Sequence, residues 1–352
     1  MNLEHLQGRI RDAAAGAVAL RLRGGGSKDF YGGELRGEVL DLRGYSGIVS
    51  YEPTELVVTA RCGTLLGELE NILRENRQFL PFEPPHFGAQ ATVGGCVAAG
   101  LSGPRRSSAG PIRDFILGAK LLDGRGRLLG FGGQVMKNVA GYDVSRLLAG
   151  SLGTLGVIAE VSIKVLPRPP AERSLRLELS EPHAIEALNR WAGQPLPISA
   201  SAWHDGVLTL RLSGAEPAVR AGAGKIGGEE LAQSQADAFW AGVREHTEHF
   251  FSGQQPLWRI AVPSTTAPMA LAGRQFIEWG GGLRWLKSDL DAGTLRAAAS
   301  RAKGHATLFR SPDKAAGAFS PLEPVLLRLH RELKAVFDPT GILNPGRLHP
   351  EL

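Results

Sequence analysis

Two glycine-rich segments in the first third of the chain have the residue types of a phosphate-binding site. Arg23–Ser27 follows an apolar run, and Ala91–Gly95 follows a proline-rich one. Glycine has no Cβ, so successive glycines in the first segment let main-chain N–H groups converge on one anion. In the second segment Thr92 stands where an N-cap would, ahead of a small-residue helix from Gly94 to Leu101 whose free N–H groups also favour phosphate. Together the segments predict a site for the pyrophosphate of a nucleotide.

The first glycine segment does not fit the common nucleotide-binding motifs. Gly24, Gly26 and Asp29 give the spacing G-x-G-x-x-D, but the residues that follow predict a turn and not the helix that a Rossmann fingerprint requires. Gly224 and Lys225 lack the Ser or Thr and the upstream glycine of a P-loop. We therefore expect a different kind of nucleotide-binding domain.

Short strands and helices must position these segments. The first residues have the apolar period of a helix, and Thr64 is the expected cap of a second helix that runs to Asn76. Asp123 and Gly124 form a hairpin signal. Strands are predicted at residues 18–22, 39–42, 48–51, 56–60, 115–122 and 157–165.

The pattern changes after the proline-rich segment Pro167–Pro170, which we interpret as a domain boundary. Beyond it, strands and helices alternate as in a smaller α+β domain. A helix from Pro324 to Phe337 and a short tail close the sequence. We expect an α+β protein with a nucleotide-binding domain over residues 1–168, a cap domain over 171–320, and a C-terminal helix and tail over 321–352.

Composition excludes several classes of protein. The chain has 352 residues, 43% of them apolar, and no window approaches the roughly 20 apolar residues of a membrane span. Its start lacks the layout of a secretion signal, so we expect a cytoplasmic protein, with a peripheral membrane position left open. The 40 basic residues are interleaved with 35 acidic ones, unlike the basic stripe of a nucleic-acid-binding protein. With only Cys62 and Cys96, disulfides are not expected, and a cysteine-ligated iron–sulfur cluster, which needs about four thiolates, is excluded within this chain.

The order of the glycine-rich segments is similar to that of a known family. The chain carries in sequence Arg23–Ser27, two prolines, Ala91–Gly95, Gly110–Asp114, Gly150–Ile158 and Asn344–Gly346. This order resembles the vanillyl-alcohol oxidase type of FAD-binding domain, over residues 1–168 and the C-terminal tail. The resemblance implies two α+β subdomains with FAD between them, a smaller α+β cap domain, and a tail that returns to the FAD domain.

The resemblance also implies which residues hold FAD. Ser27 stands where covalent members often carry histidine, which implies a non-covalent flavin, and Leu152 stands at a position that is frequently acidic. The implied FAD-binding residues are Arg23, Gly24, Gly25, Gly26, Ser27, Pro85, Ala91, Thr92, Val93, Gly94, Gly95, Gly110, Asp114, Gly153, Gly156, Ile158 and Asn344.

Four further segments extend the resemblance to the whole chain: Gln134–Asp143, Leu257–Pro263, Glu278–Trp285 and His305–Arg310. They resemble the FAD-binding subunits of bacterial glycolate oxidases. That resemblance implies oxidation of the 2-hydroxy acid glycolate to glyoxylate, beside a larger FAD-binding catalytic subunit and an iron–sulfur subunit. Because this chain cannot build its own cluster, its electrons must leave through such a neighbour.

Oxidation of a 2-hydroxy acid on a flavin needs a carboxylate clamp and a base for the hydroxyl proton. His305 is the candidate base. A guanidinium fork matches a carboxylate, although strand tryptophans are more often core residues. The candidate clamp consists of arginines beside tryptophans: Arg259, Arg284 and Arg310 with Trp258, Trp279 and Trp285.

Two functional alternatives stay open. In the first, the chain itself oxidises the hydroxy acid; in the second, it binds FAD only as a structural or electron-relay subunit while the larger partner does the chemistry. Catalytic subunits of related D-2-hydroxy-acid dehydrogenases carry a paired-histidine metal motif in the cap domain, and the absence of a counterpart here favours the second. A third possibility, a nucleotide-sugar reductase on a similar fold, fits the cap segments less well.

Two smaller patterns have competing interpretations. His246 and His249 are spaced i, i+3 on a helix predicted over residues 236–251 and could ligate a metal. The neighbouring glutamates favour a solvated face instead, so we expect no metal site. A polar loop is as compatible with function as with a surface turn, and it contains Lys137, Asn138, Tyr142 and Asp143.

Overall fold

The computed structural model describes residues 2–133 and 143–352. Their main sheets have five and eight strands, and two strand pairs lie apart from them. The elements before the proline-rich segment are α1 Leu3–Ala15, β1 Leu20–Arg23, β2 Glu38–Asp41, β3 Ile48–Glu52, β4 Val57–Arg61, α2 Leu66–Glu75, β5 Gln78–Phe79, α3 Val93–Ala99, α4 Arg106–Ala109, β6 Ile116–Leu122, β7 Leu128–Gly132, α5 Val144–Leu147, β8 Val157–Lys164 and β9 Leu166–Pro167.

The second half of the chain adds the strands of the larger sheet, their helices and the C-terminal helix. These elements are β10 Ala171–Glu178, α6 Glu181–Ala192, β11 Ile198–His204, β12 Val207–Gly214, α7 Glu216–Ile226, β13 Glu229–Glu230, α8 Gln233–Glu245, β14 Leu257–Ala261, β15 Arg274–Glu278, β16 Leu283–Lys287, α9 Ala292–Arg301, β17 His305–Arg310 and α10 Pro324–Phe337.

The five-stranded sheet supports the second glycine segment. It is antiparallel, in the order β3-β4-β8-β6-β7, and its central strand β8 is buried along nearly its whole length. Leu66, Leu69 and Leu73 lie on one side of α2, at helical spacing, and join Val93 and Val97 of α3 in the core of this sheet. Each such buried side chain contributes about 1.5–3 kcal/mol. The start of α3 is therefore fixed by packing on both sides.

A smaller layer supports the first glycine segment. Strands β1 and β2 pair in parallel, and Leu20 packs with Leu6 and Ile10 of α1. The C-terminal tail lies beside β1, because Leu20 N donates to Ile342 O at 2.7 Å and Asn344 N donates to Leu20 O at 2.9 Å. The end of β1, where the glycines begin, is thus held between the N-terminal helix and the last residues of the chain.

The eight-stranded sheet faces both glycine segments through aromatic side chains. Its order is β13-β10-β12-β11-β15-β16-β14-β17, antiparallel throughout. Trp285 and Phe309 of this sheet share a core with Tyr31, which follows the first glycine segment, and with Leu101, which follows α3. The sheet therefore sits against the loops that carry the candidate site.

Two helix boundaries differ from the sequence prediction. Helix α2 begins at Leu66, one residue later than a cap at Thr64 predicts, because Thr64 Oγ1 bonds to the backbone of Gly47 and does not cap the helix. The helix predicted over residues 236–251 is wrong at its end: α8 stops at Glu245, since His246 adopts a left-handed conformation with φ of 55°. Among the described helices, none has the length and apolar content needed to cross a lipid bilayer.

Candidate functional site

The two glycine segments meet in the structure. A Cβ on Gly24 would lie 2.3 Å from Thr92 Oγ1, and one on Gly25 would lie 1.5 Å from the carbonyl oxygen of Gln90. Gly26 has φ of 73°, in the left-handed region that favours glycine. Glycine is therefore required at Gly24 and Gly25 for steric reasons and at Gly26 for its backbone conformation. The two segments can approach this closely because the first has no side chains at these positions.

Free backbone donors cluster in the first segment. Within the described part of the chain, the N–H groups of Gly25, Gly26 and Ser27 have no hydrogen-bond acceptor, as an amide nest for an anion requires. The expectation of free N–H groups at the start of α3 is wrong. Val93 N and Gly94 N donate to Thr64 O and Cys62 O, both at 2.9 Å.

The remaining first-turn amides of α3 are also used. The side chain of Thr92 is an N-cap, as predicted, and accepts from Gly95 N at 3.2 Å. Cys96 N donates to Thr92 O at 2.9 Å. Helix α3 therefore contributes shape to the site, while the glycine loop at residues 24–27 contributes the donors.

Two adjoining cavities open beside the glycine loop. Of the residues with a predicted FAD role, the structure brings together along these cavities Arg23, Gly24, Gly25, Gly26, Ser27, Thr92, Gly94, Gly95, Gly153, Gly156, Ile158 and Asn344. The other five residues with a predicted FAD role are described in the structure but do not line these two cavities. Ala91 and Val93 are core residues, Pro85 lines another cavity, and Gly110 lies beside Asp114, whose carboxylate pairs with Arg113 at 3.8 Å.

Asn344 joins the walls of these cavities. Its Oδ1 accepts from Leu22 N at 2.7 Å, and its Nδ2 donates to Leu152 O at 2.6 Å. The tail that carries it is anchored by Lys334, whose buried Nζ donates to Thr154 O, Leu343 O and Asp338 Oδ2, each at 2.7 Å. The tail is therefore part of the site wall.

Arg347 is a site residue that the sequence prediction missed. Its guanidinium donates to the carbonyl oxygens of Lys28, Asp29 and Gly33, and so holds the chain that leaves the glycine loop. Burial lowers the pKa of Arg347 to about 10, so the group stays charged at neutral pH. A lone arginine in a tail carries no sequence signal for this contact.

A third cavity is open and cationic. It lies between α4 and the eight-stranded sheet and is lined by Arg106, Arg259, Trp279, Lys303 and His305, among others. The guanidinium carbons of Arg106 and Arg259 lie 4.3 and 5.2 Å from the ring centroid of Trp279. Trp279 holds a left-handed φ of 55°, and its Nε1 donates to Gly103 O at 3.1 Å. A strained backbone at such a position is typical of a functional site.

The two arginines of this cavity have no direct salt bridge among the described residues. Carboxylates act on them only at longer range, Asp114 on Arg106 and Glu278 on Arg259. Burial lowers the pKa of Arg106, and the positive charge of Arg259 lowers it further. Burial and the charge of Arg259 also lower the pKa of His305. Two unpaired guanidiniums that face one open space are chemically suited to an anionic ligand.

The other predicted clamp residues lie elsewhere. Arg284 is buried and donates to Gly281 O and Thr266 O at 2.8 and 2.7 Å, which is a structural role. Arg310 lies over Phe30 and faces His246. The structure separates the three tryptophans of the predicted clamp: Trp258 belongs to a different core cluster from Trp279 and Trp285.

Glu278 is a second group that the sequence prediction missed. It is 3% exposed and accepts from Trp285 Nε1 at 2.7 Å. Burial raises the pKa of Glu278 to about 7. It lines a narrow cavity together with Arg259, Ser102 and Gly103. A buried carboxyl that titrates near neutrality is suited to accept or donate a proton.

The predicted histidine pair is not assembled. His246 caps the end of α8 and stacks on Phe251 at 4.0 Å between ring centroids, and His249 lies beyond it in a separate turn. Burial, followed by the charge of Arg310, lowers the pKa of His246 well below its usual value. No group of three or more potential metal ligands occurs within residues 2–133 and 143–352. Lys137, Asn138 and Tyr142 lie outside the described residues, and Asp143 pairs with Arg146 at 2.8 Å.

Solved structures of two other proteins share this fold. The structure of p-cresol methylhydroxylase with substrate bound superposes with a TM-score of 0.73 over 99% of this chain and 88% of that one, at 14% identity. Alkyldihydroxyacetonephosphate synthase gives a TM-score of 0.69 over 97% and 75%, at 15% identity. Likeness at this level of identity shows the fold, and it confirms the predicted fold class.

Sequence comparisons identify the family. Residues 2–132 match the model of the FAD binding domain, and residues 318–348 match that of the C-terminal domain of FAD linked oxidases. The glycolate oxidase subunit GlcE of Escherichia coli is 48% identical over 344 residues, which cover 98% of this chain and 96% of that protein. The glycolate oxidase subunit GlcD of Bacillus subtilis is 30% identical over 139 residues, 40% of this chain and 29% of that one. The chain belongs to the GlcE family of glycolate oxidase subunits, and the predicted resemblance and the FAD cofactor are confirmed.

Proposed function

We propose that this chain is the FAD-binding subunit of a complex that oxidises glycolate to glyoxylate. The observation that carries the proposal is the loop of three glycines whose free amides face a cavity closed by Asn344. The 48% identity to a glycolate oxidase subunit over nearly its full length supports the substrate.

The residues beside the loop fit the cofactor. The amides of Gly25, Gly26 and Ser27 would bind the pyrophosphate of FAD, while Gly153, Gly156 and Ile158 line the deeper space. Ser27 in place of a histidine supports a non-covalent cofactor. FAD supplies the two-electron acceptor for the hydroxy acid.

The cationic cavity is the candidate substrate site. Arg106 and Arg259 would bind the carboxylate of the hydroxy acid and relieve their mutual repulsion. Glu278, which lines the narrow cavity on the other side of Arg259, is the better candidate proton acceptor than His305. Burial gives its carboxyl a pKa of about 7, whereas burial lowers that of His305.

A specific observation favours the electron-relay alternative. The space between the loop after α3 and the eight-stranded sheet is filled by aromatic rings around His246, from Phe87, Phe251, Trp285 and Phe309. The described residues also lack a metal-ligand group. In this alternative the chain holds FAD and passes electrons, and a larger flavoprotein subunit oxidises the substrate.

The cysteines support a dependence on partners. Cys62 and Cys96 are both buried, and burial raises the pKa of each thiol to about 12. Thiols in this state are poor cluster ligands. An iron–sulfur subunit would therefore accept the electrons, in a cytoplasmic complex that associates with the inner face of the membrane through its partners.

Anaerobic titration with glycolate tests the proposal and separates the alternatives. The FAD-loaded chain is purified alone and together with its co-purifying subunits, and flavin absorbance is followed. Bleaching of the chain alone supports catalysis in this subunit. Bleaching in the complex only supports the relay role. If neither preparation is reduced, or if the chain binds no FAD, the proposal is overturned.

A further inference from the structure

A separate cleft of about 350 Å³ lies where α2 and β5 meet β10, β12 and α8. The described lining of this cleft shares no residue with the two cavities beside the glycine loop. Its size is within the range of small-molecule sites. Six arginines line it: Arg74, Arg105, Arg168, Arg173, Arg211 and Arg244.

The floor of the cleft is a preformed ion-pair network. Glu83 accepts from Arg105 N at 2.9 Å and from Arg211 Nη2 at 2.8 Å, and it holds a left-handed φ of 45°. The guanidinium of Arg105 lies over Phe79 and that of Arg211 over Trp240, each 5.2 Å from the ring centroid. Glu172 also accepts from Arg105 Nη2, so two guanidiniums face two carboxylates and the floor is neutral. Hydrogen bonds and ring contacts fix its orientation.

The rim differs from the floor because its cations are not neutralised inside the cleft. Arg74 donates only to the amide oxygen of Asn71, and the side chain of Arg168 has no partner among the described residues. Arg173 pairs with glutamates outside the cleft. Arg244 likewise pairs with Glu245 outside the cleft. Among the described rim residues, Arg74 and Arg168 are thus the cations without a carboxylate partner, and they are free to bind a ligand.

The charge balance of the lining identifies the class of ligand. Six guanidiniums face four carboxylates, those of Glu70, Glu83, Glu172 and Asp237, so the lining has a net charge of +2. Guanidinium groups bind carboxylate and phosphate oxygens in a bidentate manner. Phe79 and Trp240 add an apolar wall for the carbon skeleton of an organic anion.

We propose that this cleft is a second ligand site, which binds a small molecule with two or more carboxylate or phosphate groups. Arg74 and Arg168 are the residues that bind the anionic groups. Both sheets contribute lining, since Arg74 lies on α2 beside the five-stranded sheet and Arg211 lies on β12 of the eight-stranded sheet. Ligand binding therefore stabilises the contact between these two parts.

Calorimetric titration of the FAD-loaded full chain tests the proposal. Citrate and inorganic pyrophosphate are titrated separately at low ionic strength, and at least one should bind with a Kd of about 1 mM or tighter. Binding of citrate alone identifies a carboxylate ligand, and binding of pyrophosphate alone identifies a phosphate ligand. If neither binds, the proposal is overturned.

A charge-removing variant locates the binding. Arg74→Gln with Arg168→Gln should weaken binding about tenfold or more, because it removes two direct contacts. Arg301→Gln removes the same charge from the exposed end of α9 and should leave binding unchanged. Flavin absorbance per chain shows that both variants fold and keep FAD. Binding in the double variant equal to that of the control assigns the anion to another surface and overturns the proposal.

Discussion

The glycine loop and the cationic cavity are both suited to anions, but they achieve this in opposite ways. The loop presents neutral amides, and its precision comes from contacts that leave no room for a Cβ. The cavity presents charged side chains that repel one another across Trp279. The first arrangement is suited to a resident cofactor, and the second to a ligand that arrives and leaves, because its two guanidiniums repel each other until an anion binds between them.

The largest effect is expected from Gly25→Val, which should abolish FAD retention. The new Cβ would lie 1.5 Å from Gln90 O, so the two glycine segments cannot meet. The reason is steric and not conformational, because Gly26 has a positive φ and Gly25 does not. Flavin absorbance per chain is the measurement. Gly130→Val, in β7 with open space around it, is the control. Full flavin occupancy in Gly25→Val would count against the glycine loop as the binding site for FAD.

Asn344→Leu tests whether the C-terminal tail is part of the wall of the cavities beside the glycine loop. The variant leaves Leu22 N and Leu152 O without partners and should lower the free energy of unfolding by about 2–4 kcal/mol. Asn344→Asp keeps an acceptor for Leu22 N. Its free energy of unfolding should therefore lie between that of the unmodified chain and that of Asn344→Leu. Urea unfolding of the FAD-loaded chain measures both. Equal stability of all three chains would show that the Asn344 side chain does not hold the wall of the cavity.

Glu278→Gln tests the residues beside the cationic cavity through the pH dependence of stability. Burial raises the folded-state pKa of Glu278 from its ordinary 4.5 to about 7, so the folded chain binds this proton more tightly than the unfolded one. Its contribution to stability is complete below pH 4.5 and is lost as the pH rises through 7, by on the order of 3 kcal/mol. The variant should remove this decline. Unfolding curves of both chains, measured between pH 4 and 8 at steps of about one pH unit, give the free energy of unfolding at each pH. If the unmodified chain and the variant showed the same pH dependence, the raised pKa of Glu278 would be refuted.

Arg259→Gln should produce the smallest effect and the most specific one. In the assembled complex it should raise the KM for glycolate about tenfold, close to 1.4 kcal/mol, while FAD content stays unchanged. Arg301→Gln is the matched control for charge. An unchanged KM would remove the cationic cavity from catalysis and leave the relay role for this chain.

Local sequence signals predicted local structure well. The bounds of α10 and the N-cap at Thr92 are as the sequence predicts, because proline and threonine act on their own backbone neighbourhood. The predicted α8 continued too far, since the apolar residues that extend its pattern, Phe250 and Phe251, pack in the core from a separate turn.

Contacts between distant segments were beyond the sequence signal. The free amides of α3 were expected from helix geometry alone, yet Thr64 and Cys62 supply the acceptors from a neighbouring turn. Arg347 and Glu278 gained their roles through tertiary placement, one against the loop after the glycines and the other inside an aromatic core. Arg347 lies in none of the segments singled out from the sequence, and Glu278 opens one of them without a predicted role, so the fold is what brings both to the site.

The position of Asn344 has a consequence for biosynthesis. The glycine loop lies within the first 30 residues, but Asn344, which joins the two walls of its cavity, follows Leu22 by 322 residues. A growing chain would expose an incomplete pocket until the segment around Asn344 is made. Stable cofactor capture would then be a late event that follows docking of this segment.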